Sequence, residues 1–107
     1  MAWVLLLLTI ILEVAGTISM KLSEGLTKWL PSVLLFVFYG ACFTIFSFVV
    51  TKIELSIAYA IWSGLGTVVI VIIGILYFHE SFSLLKAVFV LCIIVGVIGL
   101  KLVAPTE

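Results

Sequence analysis

The sequence predicts an all-α integral membrane protein with four transmembrane helices. Of its 107 residues, 66% are hydrophobic and only 9% are charged, whereas soluble domains are about half apolar and a quarter charged. The apolar residues fall into four runs of about 20 residues, and each run can cross a hydrocarbon core of about 30 Å as a helix. Short connections separate the runs, and helices satisfy their backbone polar groups internally, as lipid requires.

The predicted spans are residues 1–20, 32–51, 57–78 and 84–103, within one transmembrane domain over residues 1–107. The connections between them leave no room for an extramembrane domain. The first run has no basic side chain before it and contains a glutamate. A permanent helix is therefore predicted there, rather than a cleavable signal peptide.

The first helix carries Glu13, the one charged side chain in residues 1–20. A carboxylate at that depth costs on the order of 2.5–3.5 kcal/mol on insertion scales, so a helix serving only as an anchor would not need it. Glu13 is therefore the predicted functional site, and a proton or a cation is its natural partner. The residues that share its helical stripe provide two hydroxyls and a glycine: Leu6, Thr9, Gly16, Thr17 and Met20.

The second helix is expected to begin at Pro31, because a first helical turn does not need the amide that proline lacks. Tyr39, Cys42, Phe43 and Phe46 then recur at helical spacing. The phenylalanines are interpreted as packing residues. The Tyr39 hydroxyl needs a polar partner in a dry environment, so Tyr39 is expected to face a cavity.

The two cysteines, Cys42 and Cys92, both lie inside apolar runs and lack metal-ligand spacing. They are interpreted as small packing residues rather than as a disulfide or a metal site. No metal ion and no cofactor is predicted for this chain.

The third helix contains the densest group of aromatic and small residues, AYAIWSGLG at residues 58–66. Four of them share one face: Tyr59, Trp62, Ser63 and Gly66. Tyr59 is near enough to the helix end to fit an interfacial aromatic belt, whereas Trp62 lies about a turn deeper and offers a cation its aromatic face. Glycine weakens a helix by about 1 kcal/mol relative to alanine, so Gly64 and Gly66 are predicted to form a mid-membrane hinge.

The fourth helix has no ionisable residue between Lys86 and Lys101. Its small residues Cys92, Gly96 and Gly99 follow a spacing that lets two helices approach closely. This face is therefore predicted to pair with another subunit. Four helices are also few to enclose a pathway, which independently favours an oligomer.

The lysines in the loops give almost no preferred orientation in the membrane. The side that holds both termini has Lys52 and Lys101, and the opposite side has Lys21, Lys28 and Lys86. The positive-inside rule needs an excess on one side, so the chain is expected to insert both ways round and to pair as an antiparallel dimer. The alternative is that a small bias or a partner chain fixes one orientation.

The chain resembles the small multidrug resistance family of bacterial inner-membrane exporters over nearly its whole length. The resemblance rests on Glu13 followed by Gly16 and Thr17, on MKLSEGLTKWLPS at residues 20–32, and on AYAIWSGLG. It implies a multi-pass transporter rather than an enzyme, in the bacterial cell (inner) membrane, without a cofactor or a nucleic-acid partner. It also implies an antiparallel dimer that exchanges protons for a small cationic substrate.

The same resemblance implies roles for individual residues. Glu13 would bind either protons or substrate, and Gly64 and Gly66 would form the hinge. The pocket positions carried over from the family are Tyr39, Tyr59, Trp62, Gly16 and Thr17. Thr9 and Ser63 join the predicted pocket because they share the helical faces of these residues, and Cys42 because it stands where the family's guanidinium exporters have a serine.

Two departures from those guanidinium exporters favour the quaternary-ammonium (Qac-type) branch, which exports hydrophobic cations. Gly16 replaces a bulky tryptophan, and Cys42 replaces the serine. A guanidinium or polyamine exporter is the alternative, including one that works as half of a heterodimer, because Phe89 stands where many members have the first of two paired glycines. A lipid-translocating or accessory membrane subunit and a proton-conducting ring subunit are alternatives of other classes.

Overall fold

A computed structural model of the chain describes residues 1–104. They form four helices, and this range contains no strand: α1 (Ala2–Leu22), α2 (Trp29–Val49), α3 (Leu55–Tyr77) and α4 (Leu84–Val103). All four are long and apolar enough to cross a membrane. The predicted fold class, a four-helix membrane protein, is therefore confirmed. Residues 105–107 of the predicted domain lie outside the described range.

The helix bounds differ from the predicted spans by two or three residues at several ends. The largest difference is at α2, which begins at Trp29 rather than at Pro31. Pro31 is therefore its third residue, where an amide still has no partner within the helix. A proline is tolerated at each position of that first turn, so its presence could not fix the first residue. The bounds of α4 match the prediction.

Helix α1 lies at the centre of the structure, packed most extensively against α2 and also against α3. Its buried side chains form a core with those of the two neighbouring helices. The larger members of this core are Leu6, Ile10, Val14, Phe46, Val49 and Ile61. Packing on two sides fixes the rotation of α1, which is why the Glu13 side chain faces α3.

Helix α4 packs against α3 and buries none of its own residues. The contact is close at Gly64, where an added Cβ would lie 2.9 Å from Val97 Cγ2. At its far end, the Lys101 ammonium lies 4.3 Å from the centre of the Trp3 ring. The rest of α4 presents apolar side chains outward, as a helix facing lipid or another chain does.

The two loops beside the C-terminal ends of α1 and α3 have defined turns. In the first, Glu24, Gly25 and Leu26 adopt left-handed backbone conformations with φ of 48°, 73° and 68°. The buried Ser23 supports this turn, since its hydroxyl accepts a hydrogen bond from the Leu26 amide at 3.1 Å. In the second, Ser83 caps α4 by accepting a hydrogen bond from the Lys86 amide at 3.1 Å.

Candidate functional site

The Glu13 carboxylate lies between α1 and α3, directly against the backbone of Gly66. A Cβ added at Gly66 would lie 2.8 Å from Glu13 Oε2. Glycine at this position therefore allows α3 to pass over the carboxylate. Oε2 is buried and has no hydrogen-bond partner within residues 1–104. Buried polar atoms without a hydrogen-bond partner are rare in proteins, and a functional role or a bound ion or water is the usual explanation.

The other carboxylate oxygen is held by a short chain of hydroxyls. The Thr17 hydroxyl donates to Glu13 Oε1 at 3.2 Å and lies 2.6 Å from the Tyr39 hydroxyl. A threonine hydroxyl has one hydrogen, so when Thr17 donates to Glu13, Tyr39 must donate to Thr17. These hydrogen bonds then form a chain that runs from Tyr39 on α2 to Thr17 on α1 and ends on the Glu13 carboxylate. The Tyr39 hydroxyl therefore has a polar partner, and its place in a substrate pocket stays a prediction.

The Tyr39 ring packs directly against Gly16. An added Cβ at Gly16 would lie 2.5 Å from two carbons of that ring, Cδ1 and Cε1. Any side chain at this position must therefore displace Tyr39. From the sequence, Gly16 favours the quaternary-ammonium branch; in the structure it also sets the position of Tyr39, whose hydroxyl bonds to Thr17.

Trp62 lies at the centre of an aromatic surface that joins α2 and α3. Its ring centroid is 5.2 Å from Phe46, 5.5 Å from Tyr59 and 5.8 Å from Phe43. Phe43 continues the surface to Tyr39 at 6.3 Å. The indole N–H of Trp62 is buried and makes no hydrogen bond within the described chain.

Phe43, which the sequence indicates as a packing residue, also belongs to this aromatic surface. Its side chain is 55% exposed and connects the rings of Tyr39 and Trp62. A signal was present in the sequence, because Phe43 follows Tyr39 by four residues and so shares its helical face.

Three of the predicted pocket residues have their polar groups satisfied by nearby backbone. Cys42 and Thr9 are fully buried between α1 and α2, where the Cys42 thiol donates to the Thr9 carbonyl at 3.3 Å. The Thr9 hydroxyl donates to the carbonyl of Leu6 at 2.6 Å. Ser63 is exposed, and its hydroxyl donates to the Tyr59 carbonyl at 2.8 Å. The pocket roles of Thr9, Cys42 and Ser63 stay predictions.

The predicted hinge glycines lie in an unbroken helix, since α3 continues from Leu55 to Tyr77. Gly64 packs against α4 and Gly66 against Glu13, so both glycines permit close contacts with neighbouring helices. The hinge stays a prediction. So does subunit pairing through the small residues of α4: Cys92 is exposed, and a Cβ at Gly96 or Gly99 would meet nothing within 4 Å.

Metal-ligating residues do not cluster anywhere in residues 1–104. The described site offers one carboxylate oxygen, a hydroxyl chain and an aromatic surface. These groups suit a cation or a proton.

A sequence profile described as "Small Multidrug Resistance protein" matches residues 1–103. The chain belongs to the small multidrug resistance family. The family that the sequence motifs suggested is thereby confirmed, and its members are transporters. The four spans and the membership together make this small multidrug resistance protein a multi-pass protein of the bacterial cell (inner) membrane, as predicted.

Three relatives show the range of names within the family. The membrane protein YvaE of Bacillus subtilis is 48% identical over 103 residues, which cover 96% of this chain and 87% of YvaE. The quaternary ammonium compound-resistance protein QacC of Staphylococcus aureus is 36% identical over 102 residues, covering 95% of each chain. A guanidinium exporter of Yersinia pestis is 35% identical over 102 residues, covering 95% of this chain and 98% of its own.

Proposed function

We propose that this chain is a proton-coupled antiporter that exports hydrophobic or quaternary-ammonium cations, and that Glu13 is the site shared by protons and substrate. The observation that carries the proposal is the buried Glu13 Oε2, which has no hydrogen-bond partner in the described chain. An ionised carboxylate in an apolar environment is unfavourable unless it is paired. A bound cation or a proton provides that pairing.

The two carboxylate oxygens have different roles in this proposal. Oε1 accepts from Thr17, which holds the group in place, and Oε2 is free to take a proton or to face a substrate cation. The group has one negative charge, so a proton and a cation compete for it. If the transporter changes its open side only when one of the two is bound, inward proton flow drives outward export.

The groups around Glu13 favour an alkylated or aromatic cation over guanidinium. A guanidinium has five N–H donors in a fixed plane and needs several acceptors. In the described chain one carboxylate is available, its Oε1 already accepts from Thr17, and the Thr17 and Tyr39 hydroxyls hydrogen-bond to each other, so few acceptors remain for five donors. A quaternary cation has no N–H donor and instead gains from aromatic faces, such as those of Trp62 and Tyr59.

The proposed assembly is an antiparallel dimer with one Glu13 from each chain, and a homodimer is the simpler form. Two observations support it: the lysine distribution is nearly even between the two sides, and α4 buries no residue within the chain. A heterodimer would leave the roles of Glu13 and the aromatic residues unchanged.

The test is transport by the purified chain alone in liposomes that are acidic inside, so that protons flow outward, comparing tetraphenylphosphonium with guanidinium. We expect uptake of the phosphonium against its gradient, and loss of this coupled transport in Glu13→Gln. The matched control is Glu54→Gln, which changes an exposed glutamate at the start of α3 and should transport normally. Proton-driven transport retained by Glu13→Gln would contradict the proposal.

Guanidinium export is the second candidate, and one observation favours it: the Yersinia pestis guanidinium exporter resembles this chain almost as closely as QacC does. In the same liposomes, guanidinium transport without phosphonium transport would assign the chain to that branch. Gly16 would then be a misleading indication of substrate class.

A further inference from the structure

The C-terminal ends of α1 and α3 meet the α3–α4 loop at a small cavity of ≈ 110 Å³, whose lining includes Thr17, Lys21, Phe78 and Glu80. A larger cavity of ≈ 820 Å³ lies beside the first loop and shares Thr17, Lys21 and Phe78 with it. We call the smaller cavity with its lining the mouth. Thr17 lines the mouth and also donates a hydrogen bond to Glu13. This residue therefore connects the mouth to the carboxylate site.

The mouth holds an ammonium group that belongs to the chain itself. Lys21 Nζ lies 5.8 Å from the centre of the Phe78 ring and 3.8 Å from Glu80 Oε2. A carboxylate together with an aromatic face is the combination that binds organic ammonium ions. The mouth therefore repeats, at the membrane surface, the chemistry found around Glu13.

The backbone of the α3–α4 loop positions both groups. The amides of Phe78 and Glu80 donate to the same carbonyl, that of Gly74, at 3.2 Å and 3.0 Å. Between them His79 adopts a left-handed conformation with φ of 57°, which turns the chain back towards α3. The Glu80 carboxylate lies against the Gly74 backbone where a Cβ would otherwise sit, so a side chain at position 74 would displace the carboxylate from this arrangement.

Lys21 is only loosely held in the mouth. Its 3.8 Å separation from Glu80 is longer than a hydrogen bond, and both side chains are about half exposed, 60% and 49%. The ion pair between Lys28 and Glu24 in the first loop is closer, since Lys28 Nζ lies 2.8 Å from Glu24 Oε2. The hydrogen bond from Lys28 holds the pKa of the Glu24 carboxyl below its usual range. Glu24 is therefore engaged, whereas Glu80 can exchange its partner.

We propose that Phe78 and Glu80 form a second, weaker cation site at the mouth, which Lys21 occupies at rest and an organic cation occupies on its way to or from Glu13. The inference rests on the proposed function, because it assigns the mouth the same class of substrate. Lys21 acts as a tethered competitor: when a substrate cation arrives, the lysine moves out to water.

The test follows binding of tetraphenylphosphonium to Glu13→Gln by NMR in bicelles, using the backbone amides of Gly74, Phe78 and Glu80. With the Glu13 site removed, we expect saturable shifts confined to the mouth. Adding Lys21→Gln should tighten this binding about threefold by removing the competing ammonium. Adding Glu80→Gln should weaken it about fivefold, and adding Phe78→Leu about threefold.

Glu24→Gln is the matched control, because it removes the same charge from the same side of the membrane. It should leave binding at the mouth unchanged within about twofold, since Glu24 is already paired. Each variant's amide spectrum reports whether it remains folded. Absent shifts at the mouth, or equal weakening by Glu24→Gln and Glu80→Gln, would overturn the inference.

The wild-type chain, measured in parallel, separates the two proposals. If it binds and transports the phosphonium while Glu13→Gln shows nothing at the mouth, only the second site fails. If the wild type neither binds nor transports it, the proposed function fails, whatever the mouth shows.

Discussion

Gly66 on α3 and Glu13 on α1 are in direct contact, and a Cβ at Gly66 would lie 2.8 Å from the carboxylate oxygen Oε2. The oxygen that this glycine covers is the one without a hydrogen-bond partner in the described chain. Gly66 therefore does more than weaken α3, because its missing side chain leaves the space in which Oε2 sits.

We expect Gly66→Ala to weaken tetraphenylphosphonium binding about tenfold, since overpacking a tight contact costs roughly 1–3 kcal/mol. The added methyl group must push the Glu13 carboxylate away from α3. Binding to the purified protein, measured by isothermal titration calorimetry, checks this. Gly40→Ala is the control, because a Cβ at Gly40 meets nothing within 4 Å; an equal loss in both variants would show that the contact at Gly66 is not responsible.

The hydroxyl chain from Tyr39 through Thr17 to Glu13 predicts unequal and non-additive effects. Thr17→Val removes the direct donor to the carboxylate, and a hydrogen bond to a charged group contributes about 1.5–3 kcal/mol, so substrate affinity should fall about tenfold. Tyr39→Phe removes only the outer donor and should have a smaller effect. Because Tyr39 reaches the carboxylate through Thr17, the double variant should bind no worse than Thr17→Val alone.

A double-mutant cycle on binding affinity measures this coupling. If the two losses simply add, Tyr39 contacts the substrate independently of Thr17. That result would remove the hydroxyl chain from the mechanism and leave Tyr39 as a pocket residue.

Much of this site could be predicted from the sequence because a membrane leaves few explanations for a lone polar group. Glu13 could be identified from its position in an uncharged run, and Tyr39 from its need for a hydroxyl partner. The contact of Gly66 with Glu13 could not, because it depends on the rotation and depth of α3 relative to α1. From the sequence, Gly66 is predicted to share a helical face with Trp62 and to form a hinge with Gly64, and neither expectation indicates a contact with Glu13.

The mouth is the other feature that sequence reasoning missed. Glu80 is a loop residue in the sequence, and its position next to Lys21 arises because both the Phe78 and the Glu80 amides bind the Gly74 carbonyl. A turn of this kind leaves no periodic pattern. The pairing of Cys42 with Thr9 likewise depends on how α1 and α2 pack.

Cys42 tests whether a predicted pocket residue contributes to binding or to helix packing. Its thiol bonds to the Thr9 carbonyl and it is fully buried, so Cys42→Ala should lower stability by about 1 kcal/mol. The affinity for the phosphonium should change less than about twofold, because the lost hydrogen bond stabilises the packing of α1 against α2 and does not contact the substrate. Thermal unfolding followed by circular dichroism, together with calorimetry, checks both values. A large change in affinity without a change in stability would instead assign Cys42 to the pocket.

Competition between a proton and a cation for Glu13 predicts how substrate binding depends on pH. Below the pKa of Glu13, the ionised fraction falls about tenfold per pH unit, so phosphonium affinity should fall with the same limiting slope. Above that pKa, affinity should become independent of pH. Calorimetry across the pH range measures the slope, and the double variant Glu13→Gln with Glu80→Gln, which lacks the carboxylates of both proposed sites, should bind weakly with no such dependence. His79 is the one histidine in the chain and adopts a left-handed conformation that asparagine tolerates, so His79→Asn is the control and should keep the wild-type slope. A slope that disappears in His79→Asn but persists in the double variant would move the proton site from the membrane-embedded carboxylate to the loop.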